Sequence, residues 1–395
     1  MAVASRLDTG RAFAKVLLPT LAKGAIVRRP PVEATAEKLQ LDEVAVAAMR
    51  RFRDRYGPEP LRLRVTGRSI ALLLDAVDVS RLLAESPSPF ALATREKKAA
   101  LEHFQPHGVL ISTGEARERR RALNDRVLRP DNIDVPGIVA DEADLLLRHV
   151  RSTGRLTWDG FAQSWWRAAR RIVLGSTARD DDELTDVLRA LRSDANWAYL
   201  HRRREALRRR FDERLLGHLE RGEPGSLAGL APADELREQA PHWLFAFDSA
   251  GIATMRALAI GGAGQAGIWE SVRLWPTTPV ILRESTEHTR WHGTWLPAGT
   301  TFVVFAPFFH RDRDRLDYAD EYTPHIWPMP PDPGLVPFSG GPGVCPGRDL
   351  VLVAASTMLD ALRDHLDVPT LRAPLPATLN HFRLSFVTRK VDDGR

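Results

Sequence analysis

The chain has 395 residues, of which 44% are hydrophobic, with a formal net charge of +5 and a single cysteine. One cysteine excludes an internal disulfide. Because acidic residues are interleaved with the arginines and no basic stripe carries stacking aromatics, the charge argues against nucleic-acid binding. No segment near the N-terminus approaches the roughly 20 apolar residues of a membrane span, so we expect a cytoplasmic protein with no transmembrane segment.

The predicted elements begin with a helix over 41–56, which the prolines at 58 and 60 end. A strand pair is expected over 61–74, where apolar and polar residues alternate, and helical spacing returns over 75–86. Long helices follow over 114–128, 141–151, 158–174 and 181–219, and a turn-rich loop over 220–234. A small early sheet followed by helices predicts a mainly α fold with small β-sheets.

The second half contains an apolar helix over 242–260, which lacks a charged face for most of its length and is therefore expected to lie buried. The glycine-rich stretch 260–269 is interpreted as a compressed linker. Short strands are predicted after Trp275, and the prolines between 308 and 337 predict an irregular segment. A helix should follow Cys345.

The sequence PFSGGPGVCPGRDL (337–350) places the single cysteine among glycines and prolines, just before that helix. Glycines let the backbone approach a ligand closely, and the positive end of a helix favours a thiolate at Cys345. A nucleophile would need a histidine base and zinc would need further ligands at short spacing, and neither pattern is present. A haem iron needs one strong protein ligand, whereas a buried structural cysteine needs none, so both interpretations stay open from the residues alone.

The stretch FSGGPGVCPG (338–347) resembles the haem-binding loop of the cytochrome P450 family, with Phe338 and Gly347 in the family's phenylalanine and glycine positions around Cys345. The position two before the cysteine is usually an arginine or histidine against a haem propionate, but here it is Gly343. The resemblance therefore implies that one propionate contact is missing or comes from elsewhere.

Upstream matches support the resemblance. Glu270 and Arg273 resemble the family's E-x-x-R helix, where a carboxylate and a guanidinium at i and i+3 form a structural ion pair. Arg283 falls where the family places a strand arginine on a haem propionate. In GEARERRRALN, Arg121 matches a further propionate arginine and Arg117 takes the family's His or Trp place.

The stretch AGIAT (250–254) resembles the A-G-x-x-T signature of the family's distal helix. The resemblance implies catalytic roles for Gly251, which opens a groove for dioxygen, and for Thr254, which relays protons. Ala253 replaces the usual acid, so proton delivery would need Asp248 or Ser249 from the preceding turn, in an alternative register, AFDSA. The interval 254–270 is short for the family, which implies either that a whole helix is absent or that residues are missing from the chain.

The resemblance implies a single cytochrome P450-like domain over 1–395 that holds haem b through Cys345. Within it we expect an N-terminal extension and first helix (1–40), the early sheet and a pocket loop (41–110), a helical body (111–260) and the haem-ligand side (261–395). Phe90, Trp197, Phe247 and Ala250 are predicted to line the pocket of an apolar small-molecule substrate.

The implied activity is a monooxygenase that inserts one oxygen atom from dioxygen into that substrate, with electrons from a separate ferredoxin and ferredoxin reductase. Two alternatives remain from the sequence. One is a haem-thiolate peroxygenase or isomerase driven without a redox partner, and the other is a non-catalytic haem-binding protein.

Overall fold

The computed structural model describes residues 2–327, 332–368 and 371–389. The α-helices of this part of the chain are α1 Arg6–Ala12, α2 Leu18–Lys23, α3 Pro30–Lys38, α4 Leu41–Tyr56, α5 Ala76–Ala84, α6 Arg95–Leu101, α7 Gly114–Val127, α8 Val135–Thr153, α9 Trp158–Leu174, α10 Asp182–Ala195, α11 Glu205–Arg221, α12 Ala233–Arg237, α13 Ala240–Ala259, α14 Gly264–Leu274, α15 Ala306–His310 and α16 Arg348–Arg363. A π-helical segment, Phe13–Leu17, joins α1 to α2.

The β-strands are short. They are β1 Leu61–Val65, β2 Arg68–Leu72, β3 Phe90–Ala91, β4 Arg155–Thr157, β5 Val280–Ser285, β6 Thr289–Trp291, β7 Thr294–Leu296, β8 Thr301–Phe305, β9 Leu366–Asp367 and β10 Ser385–Thr388. They form a five-stranded sheet in the order β1-β2-β8-β5-β3, a three-stranded sheet in the order β4-β10-β9 and the hairpin β6-β7. Strands β2 and β8 pair in parallel, so the early strand pair joins late strands in one sheet.

Most of the buried apolar residues fall into two hydrophobic cores. The larger packs α8, α9, α13, α14 and α16 around buried residues such as Trp165, Phe247 and Met358. The smaller packs α4 and α5 onto the five-stranded sheet around Phe90 and Phe302. Helix α13 is buried over its second half as its composition predicts, because its residues from Ile252 to Ala259 are at most 5% exposed.

The predicted α4 has the expected bounds, and the predicted mainly α fold with small β-sheets is confirmed. The prediction of one helix over 181–219 is wrong, because the chain turns between α10 and α11. At this turn the Asn196 side chain accepts hydrogen bonds from Ile26 N and Val27 N, and the Asp194 carboxylate binds Arg204. Tertiary polar contacts thus end a helix that local propensity would continue.

The linker predicted over 260–269 is also wrong beyond its first four residues, since α14 begins at Gly264. The chain passes from α13 to α14 with a bend of 101° and no helix between them, as the short interval predicts. Gly262 and Gly267 allow the tight turn, because a Cβ on Gly267 would lie 3.0 Å from the Gly262 carbonyl carbon. The glycines, which have low helix propensity, therefore allow close packing at this turn.

The segment predicted as irregular contains α15 and a short 3₁₀ turn over Pro324–Ile326, and is otherwise without regular structure where it is described. The prolines at 328, 330 and 331 lie outside the described residues. Within those ranges, no single helix is long and apolar enough to cross a bilayer, although α13 and α14 reach that length and hydropathy together across their bend.

Candidate active site around Cys345

Cys345 lies in the loop that leads into α16. Its backbone N–H donates to Phe338 O at 3.0 Å, which closes the loop, and Gly347 N–H points at the sulfur. Burial raises the pKa of the Cys345 thiol, and the Gly347 hydrogen bond and the nearby guanidiniums of Arg121 and Arg348 oppose that rise. The positive helix end is therefore present as predicted, but in the protein alone burial outweighs it.

Cys345 is not sealed in the core. The residue keeps partial accessible surface. The loop therefore leaves a potential ligand partly accessible.

Glu270 and Arg273 form the predicted ion pair on α14, and both side chains are fully buried. Arg273 Nε and Nη2 bind the two Glu270 oxygens at 2.7 and 2.8 Å. Arg273 also donates to the carbonyls of His310, Ala319 and Glu321, and Glu270 accepts from Thr323 N and Trp327 Nε1. We call this network the clamp; every charge in it is paired, and it fastens the irregular segment to α14.

Aromatic side chains connect the clamp to the cysteine loop. The Trp269 ring stacks on Trp327 with centroids 4.9 Å apart and meets the Phe338 ring edge-on at 4.7 Å. His310 Nε2 accepts from Val336 N, while Nδ1 faces Arg273 O, so the imidazole is the neutral Nδ1–H tautomer. Burial lowers the pKa of His310 to about 3, consistent with this neutral form.

Helix α7 brings two arginines to the cysteine loop in the predicted register. Arg117 Nη2 donates to Pro342 O at 2.9 Å, and Arg121 Nη1 donates to Val344 O at 2.6 Å. Arg121 is balanced by Asp125. Arg117 is 8% exposed, has no salt bridge among the described residues, and its Nε is buried without a partner.

Arg283 reaches the same loop from β5 and is 2% exposed. Its guanidinium donates to Ser86 Oγ, Leu282 O and Ser339 Oγ, all of which are neutral oxygens. A Cβ on Gly343 would lie only 2.5 Å from Arg283 Nη2. The end of the Arg283 side chain therefore occupies the space beside the loop that a larger residue at 343 would need.

Arg117 and Arg283 are thus buried cations that face one region without a bound carboxylate. Burial is the main cause that lowers the pKa of each, and in each case a neighbouring arginine adds to the shift. Uncompensated buried charge is costly, so this arrangement fits a ligand that brings carboxylates. The residues present therefore fit a haem, whose iron would face Cys345 and whose propionates would face the two arginines.

Metal chemistry through a cluster of side chains has no support in the described ranges, where no group of three or more His, Cys, Asp or Glu could hold an ion. A haem requires one cysteine as its protein ligand and cationic side chains near its propionates, since the macrocycle supplies the other iron ligands.

Helix α13 is partly open along one face. His242, Phe245, Ala246 and Ser249 are partly accessible and recur at spacings of three and four residues, so they share that face. His242 Nδ1 lies 3.0 Å from Gln105 Nε2, and burial lowers the pKa of His242 to about 4, which makes it neutral near pH 7. The face therefore offers apolar surface with one neutral hydrogen-bonding pair.

Asp248, predicted as an alternative acid, pairs with Arg192 of α10. Arg192 Nη2 binds Asp248 Oδ2 at 2.6 Å, and the side chains are 1% and 21% exposed respectively. Burial lowers the pKa of Arg192, although the nearby Asp248 carboxylate opposes that shift. The Asp248 carboxylate of α13 is therefore held by the Arg192 guanidinium of α10.

The A-G-x-x-T residues lie in tighter surroundings. Thr254 is fully buried and its hydroxyl donates to Ala250 O at 2.9 Å. A Cβ on Gly251 would lie 2.7 Å from the ring of Trp165 on α9, so this glycine serves helix packing. Phe247 likewise packs against Trp165, whose Nε1 donates to Phe247 O.

The predicted pocket residues are not brought together. Phe90 is fully buried between Trp291 and Phe302 in the smaller core, so its assignment to the pocket is corrected to a packing role. Trp197 is 44% exposed and lies under the guanidinium of Arg29 at 4.5 Å. Phe247 and Ala250 are 1% and 7% exposed. Aromatic content alone did not locate the pocket, because aromatics also form cores.

Sequence reasoning missed Lys97, Gln105 and His242. The Lys97 and Gln105 side chains lie on the segment between α5 and α7, where irregular sequence gives no periodicity to interpret. His242 precedes the apolar run of α13, and a neutral polar residue opening a buried helix was the signal that could have found it.

Comparisons with known proteins agree with this site. The sequence family described as Cytochrome P450 matches residues 264–386, which include the clamp and Cys345. β-Amyrin 24-hydroxylase of Glycine max is 31% identical over 110 residues, and indolin-2-one monooxygenase of Zea mays is 31% identical over 114 residues. These matches cover 25% and 26% of the chain, and each spans 21% of the relative's length.

The crystal structure of CYP175A1 from Thermus thermophilus superposes with a TM-score of 0.68 at 20% identity, covering 91% of this chain and 98% of that one. Retinoic acid-bound cyanobacterial CYP120A1 gives a TM-score of 0.69 at 14% identity, covering 87% and 94% of the two chains. At these identities the likeness establishes the fold. Cytochromes P450 are haem-iron enzymes, so haem is the cofactor that the site fits.

Proposed function

Because the chain has the cytochrome P450 fold and its residues 264–386 belong to the cytochrome P450 family, we propose that it is a haem-thiolate monooxygenase acting on an apolar small molecule. The observation that carries the proposal is Cys345, which keeps partial accessible surface in a loop contacted by the buried guanidiniums of Arg117 and Arg283, neither of which forms a salt bridge among the described residues. Haem bound through a thiolate supplies dioxygen activation and insertion of one oxygen atom into a C–H bond.

The protein's own part begins at the ligand loop. Gly347 N–H and the start of α16 stabilise negative charge on the Cys345 sulfur once the thiol has lost its proton. The clamp keeps the irregular segment against α14. The Trp269 ring, which belongs to the same helix, packs on Phe338 at the start of the cysteine loop. Cys345 is therefore held in its position before any substrate binds.

We assign proton delivery to Asp248 and Ser249 of α13. Asp248 is partly accessible and is bound by Arg192 of α10, and Ser249 beside it lies on the open face of α13, so the two residues connect α10 with that face. Thr254 fits this role less well, because it is fully buried and its hydroxyl is donated to Ala250 O. The alternative register AFDSA is therefore preferred to AGIAT for proton transfer.

The substrate is proposed to lie along the open face of α13. Phe245 and Ala246 offer apolar contact there, and the His242–Gln105 pair can bind one hydroxyl or carbonyl group. Two structural relatives are described with apolar acids, retinoic acid in one and (R)-ibuprofen in cytochrome P450SP alpha. An apolar molecule with one polar end is the class that suits this arrangement.

Electrons are proposed to come from a separate ferredoxin and ferredoxin reductase, since the sequence has one cysteine and cannot hold an iron–sulfur cluster. Arg119 and Arg126 of α7 are 73% and 63% exposed along their side chains, on the helix that contacts the cysteine loop. An acidic partner docking there would be steered by charge.

The test is a spectrum of the reduced protein with carbon monoxide, followed by turnover assays. We expect a red-shifted thiolate-type Soret band that is absent from Cys345→Ala, and oxygen insertion that requires the ferredoxin system. Turnover with hydrogen peroxide alone would instead favour a peroxygenase. A thiolate-type spectrum without oxidation under either supply would identify a haem-binding protein, and protein that takes up no haem would refute the proposal.

A further inference from the structure

Lys97 is a partly buried lysine that the roles above leave unused. It lies in the first turn of α6, and its Nζ donates to Leu92 O at 3.0 Å and to Leu282 O at 3.1 Å. Two carbonyl oxygens leave one N–H of the ammonium without a partner among the described residues. The hydrogen bond to Leu282 O holds this ammonium against β5.

The lysine is coupled to Arg283 through one oxygen. Arg283 Nη1 also donates to Leu282 O, at 3.0 Å, so Nζ of Lys97 and Nη1 of Arg283 lie within about 6 Å of each other. Like charges at this distance repel, and Arg283 is the main charged neighbour that lowers the pKa of Lys97, after burial itself. The oxygen that they share is neutral, and an anion beside both groups would relieve the repulsion.

No acid in the described part of the chain forms a salt bridge with Lys97, Arg117 or Arg283. The neighbouring acids are engaged elsewhere, since Glu96 pairs with Arg68 and Asp125 pairs with Arg121. Together the three cations face one region with only neutral oxygens as partners. We call these three residues the cation cluster.

We propose that Lys97 is a third anchor for a buried carboxylate, which it shares with Arg283. The two possible sources of that carboxylate are a haem propionate and an acidic group of the substrate. The propionate is favoured because Gly343 provides no cation and Arg283 fills the space beside it, so a donor from α6 replaces the one that the loop lacks. The inference rests on haem binding at Cys345 and does not require monooxygenase activity.

The experiment measures haem retention by the holoenzyme, as transfer to an excess of apomyoglobin. Lys97→Met keeps the length of the side chain and removes the charge, Lys97→Arg keeps the charge, and Lys98→Met is the matched control on the same helix. We expect Lys97→Met to lose haem roughly tenfold faster than the wild type, Lys97→Arg to restore retention in large part, and Lys98→Met to match the wild type.

Reconstitution with haem dimethyl ester separates anchoring from folding. The ester has no propionate charge, so the difference between wild type and Lys97→Met should disappear with it. An equal difference with both haems, or none with natural haem, would overturn the propionate assignment. If haem retention is unchanged while dodecanoic acid, but not dodecanol, gives a weaker spectral shift in Lys97→Met, the carboxylate belongs to the substrate.

A failure of the proposed function is recognised separately. Absence of the thiolate-type spectrum in the wild type would refute haem ligation by Cys345, whereas the retention assay compares variants that all show that spectrum. Should Lys97→Met fold poorly, Lys97→Gln with the same pair of haems decides the question.

Discussion

The clamp and the cation cluster both contain buried arginines, but their charges are balanced differently. In the clamp, Arg273 faces Glu270 in a bidentate pair, and every remaining donor meets a backbone carbonyl. In the cation cluster, Arg283 and Lys97 meet only neutral oxygens, and Arg117 Nε has no partner. The difference distinguishes a region that stabilises the fold by itself from one that awaits an anionic ligand.

The largest effect is expected from breaking the clamp. Arg273→Leu leaves Glu270 charged and unpaired in the interior, and should cost about 3–5 kcal/mol of unfolding free energy. Urea unfolding of the haem-free protein measures it. The control is Arg363→Leu, whose partly exposed pair with Asp364 should be worth less than about 1 kcal/mol. Similar losses in both variants would contradict the role of the clamp.

Removing a charge from the cation cluster should lower haem affinity more than the stability of the haem-free protein. Arg283→Met removes a buried charge that has no counterion, so the haem-free protein should change in stability by no more than about 1 kcal/mol. Haem affinity should fall on the order of 100-fold, because a charge-assisted contact to a propionate is lost. Haem titration and urea unfolding measure the two quantities; a large loss of stability with unchanged haem affinity would show that Arg283 is structural.

Acid should lower the free energy of unfolding by protonating His310, whose ring contacts the Arg273 carbonyl oxygen. Its folded pKa of about 3 lies below the unfolded value near 6.5, so the unfolded state binds the proton first. Unfolding free energy should therefore be insensitive to this residue above pH 6.5 and fall below it, by about 2 kcal/mol at pH 5.

The measurement is the pH dependence of unfolding between pH 7 and 5 in wild type and His310→Gln. The variant should show a shallower dependence, and exposed His365→Gln should keep that of the wild type. A variant as acid-sensitive as the wild type would exclude His310 as the source.

The smallest effect concerns Gly343. A methyl group at this position meets the end of the flexible Arg283 side chain, so Gly343→Ala should cost about 1 kcal/mol and weaken haem binding slightly. In the exposed helix position Gly217, where nothing lies within 4 Å, the same change should stabilise by about 0.5–1 kcal/mol. Equal effects at the two sites would mean that Arg283 does not need the space.

Residues on the side of the Cys345 loop were placed one by one from the sequence. Cys345, Glu270, Arg273, Arg117, Arg121 and Arg283 all lie at the loop or in the clamp. The Glu270–Arg273 pair follows from local geometry, because i, i+3 residues share one helix face. Arg117, Arg121 and Arg283 followed from the resemblance to a known family, since they contact the loop from far along the chain.

The distal side was predicted less well. Phe90, Trp197 and Gly251 have packing or surface roles, and His242, Gln105 and Lys97 were missed. A pocket residue is defined by the free space beside it, and periodicity gives the direction of a side chain on its own helix but not what faces it.

By itself, the sequence determined the mainly α fold, the ligand loop and the charged pair that fastens it, because each depends on residues close together along the chain. The tertiary structure alone decided which cations remain without a counterion. Lys97 is separated from Arg283 by 186 positions, and only the packing of α6 against β5 brings both to the same Leu282 carbonyl. Charge balance in the interior is a sum over neighbours in space, and for this reason the loop that contains Cys345 could be found before the cluster that surrounds it.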